Sequence, residues 1–168
     1  MNVEEIAALL EASGQSFTSM LSALSPEASA WHPKPGEWCV KEVVGHIIIT
    51  EQNGFAGRIK LILASSEPAL PGYDRDAFAA QRNDDERPPA TLKNEFASIR
   101  NESVALVRSL QNVQLSRGGM HPDVGRLTVE ALLHEWVHHD GNHLRQALAN
   151  VQAYVWPRMG NAQRFSSV

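Results

Sequence analysis

The sequence predicts an all-α protein, a four-helix bundle with a long connection between its second and third helices. Four long segments carry apolar residues at steps of three, four and seven, the period of a helix with one buried stripe. No stretch of useful length alternates as a strand does. Proline- and glycine-rich stretches separate the four segments. With 168 residues, 43% of them hydrophobic, the chain is long enough for one domain with its own core.

In the first helix, Ile6, Leu9, Leu10, Phe17, Leu21 and Leu24 form the stripe. Gly14 weakens this helix without breaking it, and Ser25-Pro26 closes it. Residues 26 to 38, with Pro26, Pro33, Pro35 and Gly36, are expected as a loop, anchored on the core by Trp31 and Trp38. The second helix starts near Cys39 and runs to about Ala64. Its stripe is Val40, Val43, Val44, Ile47, Ile48, Phe55, Ile59 and Ile62. His46, Thr50, Asn53 and Gly57 share a flank beside that stripe, which suggests a lined cleft. Glu51 falls inside the stripe, where an acid is costly unless it is paired or near a cation.

Residues 65 to 90 form a long link, a crossover or a lid, with a short helix around Asp76 to Arg82. The third helix is expected from about Thr91, as N-cap, to Val113. Residues 114 to 127 form a turn-rich loop. Thr128 caps the fourth helix, which continues to about Tyr154 before Pro157 ends it. The bundle therefore occupies residues 1–158, and residues 159–168 are a polar, frayed tail.

The net charge of −4, without a cluster of Lys or Arg, argues against nucleic acid and anionic membranes as partners. No apolar run approaches a membrane span. The start M-N-V-E-E-I lacks a basic region followed by an apolar core, so no secretory signal is expected. Cys39 is the one cysteine, so no intrachain disulfide can form, which suits a cytoplasmic protein. Nothing around Cys39 suggests a lowered pKa, and it reads as an apolar or capping residue.

Four of the seven histidines lie in the fourth helix, in two pairs at i, i+4: His134 with His138, and His139 with His143. On a helical wheel, Val129, Leu132, Leu133, Trp136, Val137, Leu144, Ala147 and Val151 gather on one face. His139 and His143 border that face, and Asp140 lies near its middle. His134 and His138 point the other way, toward solvent. Two imidazoles one turn apart can hold a metal ion if another helix supplies a further ligand, and His46 is the best candidate. A flank histidine is also an ordinary structural residue, so His46 alone decides nothing. Asp140 and Glu51 either orient an imidazole or carry a proton at the site, or they form polar contacts with Arg or Trp N–H groups. His32 and His121 sit in loops and read as surface residues.

H-E-W-V-H at 134 to 138 matches the short zinc-protease motif, with Glu135 as general base. The longer pattern of that class needs a histidine where Leu144 stands, and His143 is one place early. One residue is about 100° around a helix, so the mismatch redirects the ligand.

W-H-P-K-P-G-E-W-C-V-K-E-V-V-G-H-I at 31 to 47, followed by L-T-V-E-A-L-L-H-E-W-V-H-H-D-G-N-H-L-R-Q-A-L at 127 to 148, resembles the DinB-like superfamily. Its recurrent marks are the E-W-x-V entry to the second helix and the H-D-x-x-H-L-x-Q element of the fourth. The resemblance implies a four-helix bundle of up-down-down-up style. It also implies a divalent metal, zinc or nickel, with its first ligand at His46 and its last two at His139 and His143. Relatives in that superfamily use the metal to activate a low-molecular-weight thiol for transfer to an electrophile or for isomerisation, and they commonly form homodimers. The expected function is a metal-dependent thiol transferase or isomerase. The alternatives are a non-catalytic metal-binding or dimerisation bundle of stress response and, further off, the zinc protease.

Overall fold

The computed structural model describes residues 1–166, with backbone only at 75 and 76. Helix α1 (Val3–Ala23) opens on a capping box in which Asn2 accepts from the Glu5 amide and Glu5 accepts from the Asn2 amide. The expected loop after it begins with a short helix, α2 (Pro26–Ser29), capped by Ser25. The second long segment is continuous from 40 to 64, but not uniformly α-helical. It consists of α3 (Val40–Ile49), a π-helical turn (Thr50–Phe55) and α4 (Ala56–Ala64). Helix α5 (Arg75–Arg82) lies in the long link, as expected.

Helix α6 (Pro89–Arg108) begins before Thr91 and ends before Val113. Proline is already preset for the first helical position, so Pro88 is the cap and Pro89 starts the helix. The expected loop at 114 to 127 contains a two-stranded antiparallel hairpin, β1 (Gly118–His121) and β2 (Gly125–Thr128). Each strand has four residues, too few for an alternating pattern to register. Helix α7 (Val129–Val155) starts where Thr128 accepts from the Ala131 amide. The chain after it forms 3-10 turns at Trp156–Arg158 and Gly160–Phe165, the second within the tail at 159–168 that was expected to fray. Positions 167 and 168 of that tail lie outside the described residues. Among the described residues no helix is long and apolar enough to cross a membrane.

Helix α1 and the α3–α4 segment each pack against both α6 and α7. The buried core has two parts. One joins Phe17, Val43, Ile47, Leu92 and Phe96, and the other joins Leu10, Phe55, Ile59, Val107, Leu133 and Trp136. Gly14 sits inside α1 for a packing reason. A Cβ there would stand 2.8 Å from Cγ of Arg100, whose side chain crosses α1 at that point.

The link between α4 and α6 is tied down at the start of α3. Buried Lys41 donates to the carbonyls of Asp85 and Arg87. Asp84, also buried, is held by Arg82 and Arg87, and both arginines also hold Glu95 of α6. This knot lies against Gly45, where a Cβ would come within 1.8 Å of Asp84 Oδ2. Gly45→Ala is therefore expected to push the link off α3 at a cost of about 1–3 kcal/mol, the range for forced overpacking. Denaturant unfolding at equilibrium checks this, and an unchanged midpoint would show that the link yields freely.

Candidate functional site

Helices α3 and α7 bring three imidazoles together. His46 is buried near the end of α3, and half-buried His139 and His143 sit one turn apart on α7. Their ring centroids lie 4.4 Å apart for His139 and His143, 4.6 Å for His46 and His143, and 5.2 Å for His46 and His139. The Nε2 atoms of His46 and His139 stand 3.1 Å apart. One ligating nitrogen from each ring falls within 4.8 Å of the other two, so the group can hold one metal ion. A tetrahedral ion with bonds of about 2.0–2.1 Å to imidazole sets its ligand atoms about 3.3 Å apart, close to the His46–His139 separation. Three neutral imidazoles are a donor set that divalent zinc and nickel accept. Three protein ligands also leave a coordination position for a small molecule.

Neighbouring side chains fix the rings. His143 Nδ1 lies 2.9 Å from Gln146 Oε1, an acceptor. Nδ1 therefore carries the hydrogen, and Nε2 is the lone-pair nitrogen. Trp38 lies 4.8 Å from His46 and stacks on His143 at 6.2 Å. Phe55 meets His139 edge-on at 5.3 Å and stacks on Trp136, 10° from parallel. The Thr50 hydroxyl lies 3.4 Å from His46 Nε2.

Two recesses reach this cluster. One, about 760 Å³, is lined by Thr50, His139, Phe55, Arg58, Tyr73 and His121, among others. The other, about 300 Å³, is lined by His46, Trp38, Glu42 and residues of α5 and the turn after it. The expected flank of the second helix needs correction here. Asn53 is exposed, and Gly54 and Arg58 line the large cleft in place of Asn53 and Gly57. The π-helical turn accounts for the shift, because it admits one more residue per turn and rotates every later side chain.

Glu51 and Asp140 are almost completely buried, and both are bound to Arg100, itself 3% exposed. Arg100 Nη2 is 2.9 Å from Glu51 Oε2, and its Nη1 is 2.5 Å from Asp140 Oδ2. Ser13 also donates to Asp140, and Arg100 Nη1 donates to the Leu10 carbonyl. Of the two roles open to these acids, contact with an arginine is the one their hydrogen bonds display. Burial pushes Glu51 above its ordinary pKa, and the Arg100 guanidinium pulls it back only in part. Burial also works against the charge on Arg100, but the two carboxylates override it and raise its pKa.

His134 and His138 are exposed, as expected. His121, expected at the surface, has a side chain only 10% exposed in the large cleft. Cys39 caps α3 beside His32 and Glu42. These three also offer ligand atoms within 4.8 Å of one another. Glu42 already accepts from the Cys39 amide at 2.7 Å and lies 2.8 Å from His32, which makes the group a helix cap. Burial pushes the Cys39 thiol up to about 12. At pH 8 about one molecule in ten thousand would carry the thiolate. A thiol-directed reagent is therefore expected to label the folded protein far more slowly than the unfolded protein. Equal rates would contradict that placement.

Arg100, Gln146, Trp38 and Tyr73 were not anticipated as contributors to the site. Trp38 and Gln146 carried a signal, since they stand in the E-W-x-V and H-D-x-x-H-L-x-Q elements, and Arg100 carried a weaker one, four places after Phe96 on the stripe of α6.

The family model described as the DinB superfamily matches residues 9–147. The chain belongs to the DinB superfamily. Among curated DinB-like relatives, YfiT of Bacillus subtilis (strain 168) is 30% identical over 112 residues. The match covers 66% of this chain and 62% of that relative, so the chain spans under two thirds of its length. A protein of Oceanobacillus iheyensis is 26% identical over 124 residues, 74% of this chain and 70% of the relative. Both carry names that describe a metal-dependent hydrolase. The solved structure of YfiT, described as a four-helix bundle of unusual topology, has a TM-score of 0.79. It is 24% identical, and the match covers 94% of this chain and 87% of that one. A mycothiol-dependent maleylpyruvate isomerase has a TM-score of 0.67 at 13% identity, covering 88% of this chain and 61% of that one. Both likenesses show a shared fold, which for YfiT is described as a four-helix bundle.

Proposed function

We propose that this protein is a metal-dependent enzyme in which His46, His139 and His143 hold one divalent ion, zinc or nickel, and that it transfers a small thiol to an electrophile or isomerises a thiol adduct. The supporting observation is that two separate recesses end on one histidine cluster. A thiol transfer brings two organic partners together, and two recesses meeting at one centre suit it. When bound, a divalent ion at such a centre stabilises a thiolate near neutral pH, and the thiolate is the nucleophile.

The chain's own residues provide the rest. Gln146 holds the His143 ring in one tautomer and orientation. Trp38 and Phe55 pack apolar rings against His46 and His139 and so form part of the cluster's wall. Arg100 ties the π-helical turn that follows α3 to α7 through Glu51 and Asp140.

Hydrolysis is the second reading, favoured by the names of the sequence relatives. In that case water takes the place of the thiol. The two readings separate in one assay of zinc- or nickel-loaded protein, with an alkylating electrophile and a panel of low-molecular-weight thiols on one side and small esters and amides on the other. The thiol reading expects consumption of the electrophile to depend on both thiol and metal and to be lost in His139→Ala. Turnover of an ester or amide without any thiol would favour hydrolysis. A bound ion with neither activity would leave a metal-binding module.

A further inference from the structure

Arg58 differs from the protein's ion-paired arginines. Arg82, Arg87, Arg100, Arg108 and Arg126 each hold a carboxylate. Among the described residues, no ion pair includes Arg58. Its Nη2 reaches the Pro71 carbonyl only at 3.4 Å, and its guanidinium lies 5.8 Å from the centre of the Tyr73 ring. Its Nε is buried and has no hydrogen-bond partner. A buried donor without an acceptor is costly and uncommon in folded proteins. Burial also pulls the Arg58 pKa down, so the fold itself disfavours this charge.

Arg58 lines the large cleft that also holds His139. Part of the wall around it is apolar, with Phe55, Leu127 and Leu132. Asp123 and Glu135 line the cleft too, but both are exposed side chains in solvent. Their charges disfavour a doubly charged phosphate more than a singly charged carboxylate. A guanidinium presents a planar fork of donors that matches a carboxylate.

We propose that Arg58 is an anion-binding subsite, and that the cleft takes a ligand with an apolar body, one carboxylate held by Arg58 and a reacting end directed to the histidine cluster. This rests on the reading of His46, His139 and His143 as the reaction centre, and it adds the substrate's charge to that reading.

The probes are ω-mercaptoalkanoic acids with chains of two to six carbons and the matching neutral amides. Binding to the zinc-loaded protein is measured by calorimetry for the wild type, Arg58→Met and Arg58→Lys, with equal zinc content verified. The wild type is expected to prefer the acid to the amide by at least about tenfold at the best chain length. Arg58→Met should lose that preference, and Arg58→Lys should keep part of it. Equal binding of acid and amide at every length, or a preference undiminished in Arg58→Met, would overturn the proposal. If no thiol binds, acid or amide, while the zinc is present, the thiol reading is what fails. The same series with the thiol replaced by a methyl group, propanoate to heptanoate against their amides, then tests Arg58 by the same criteria.

Discussion

Arg100→Met is expected to destabilise the protein by about 3–5 kcal/mol, because it strips from two buried carboxylates at once the one cation that pairs with them among the described residues. Glu51 and Asp140 would then sit near each other without compensation, and one would have to take up a proton. For a chain of this size the loss corresponds to a drop in melting temperature on the order of 10 °C. The penalty comes from orphaned charges more than from a lost attraction. Adding Glu51→Gln and Asp140→Asn to Arg100→Met should therefore recover part of the loss. Thermal unfolding of the single and triple variants checks both statements. A single variant within about 1 kcal/mol of wild type would mean that the triad does not hold the bundle together.

Metal removal is the second large effect. An ion that binds only the folded protein, supplied at a thousand times its dissociation constant, adds about 4 kcal/mol of stability. A chelator should thus lower the melting temperature of the loaded protein by roughly 10 °C. His46→Ala should show no such difference between loaded and chelated samples. A chelator effect of equal size in His46→Ala would move the ion to other residues.

Much of the bundle and of the histidine cluster can be read from the sequence because both follow helical period. The wheel of the last helix turns His139 and His143 inward and His134 and His138 outward, as the structure has them. Glu51 was legible as an acid that needs a partner, but Arg100 was not legible as that partner. The two are 49 positions apart, and although Arg100 stands four places after Phe96 and seven before Val107, on the buried stripe of α6, the period names no partner for it. The register of the cleft was hidden by the π-helical turn at Thr50–Phe55, which a constant step of 100° cannot represent. The hairpin escaped for want of length, and with it the position of His121 in the cleft. Gly14 reads as a weak helix residue, and the structure gives it a reason in close contact with Arg100; Gly45 packs as closely against Asp84.

The central claim is that one ion is shared by His46, His139 and His143. Its most direct test is the zinc and nickel content of purified wild type and of the His46→Ala, His139→Ala, His143→Ala and His134→Ala variants, after equal loading and desalting. The account predicts one ion per chain in the wild type and in His134→Ala, and a loss of most of it in each of the other three. Retention of the ion in His46→Ala and His139→Ala, together with its loss in His134→Ala, would contradict the account and return the exposed H-E-W-V-H pair to the centre.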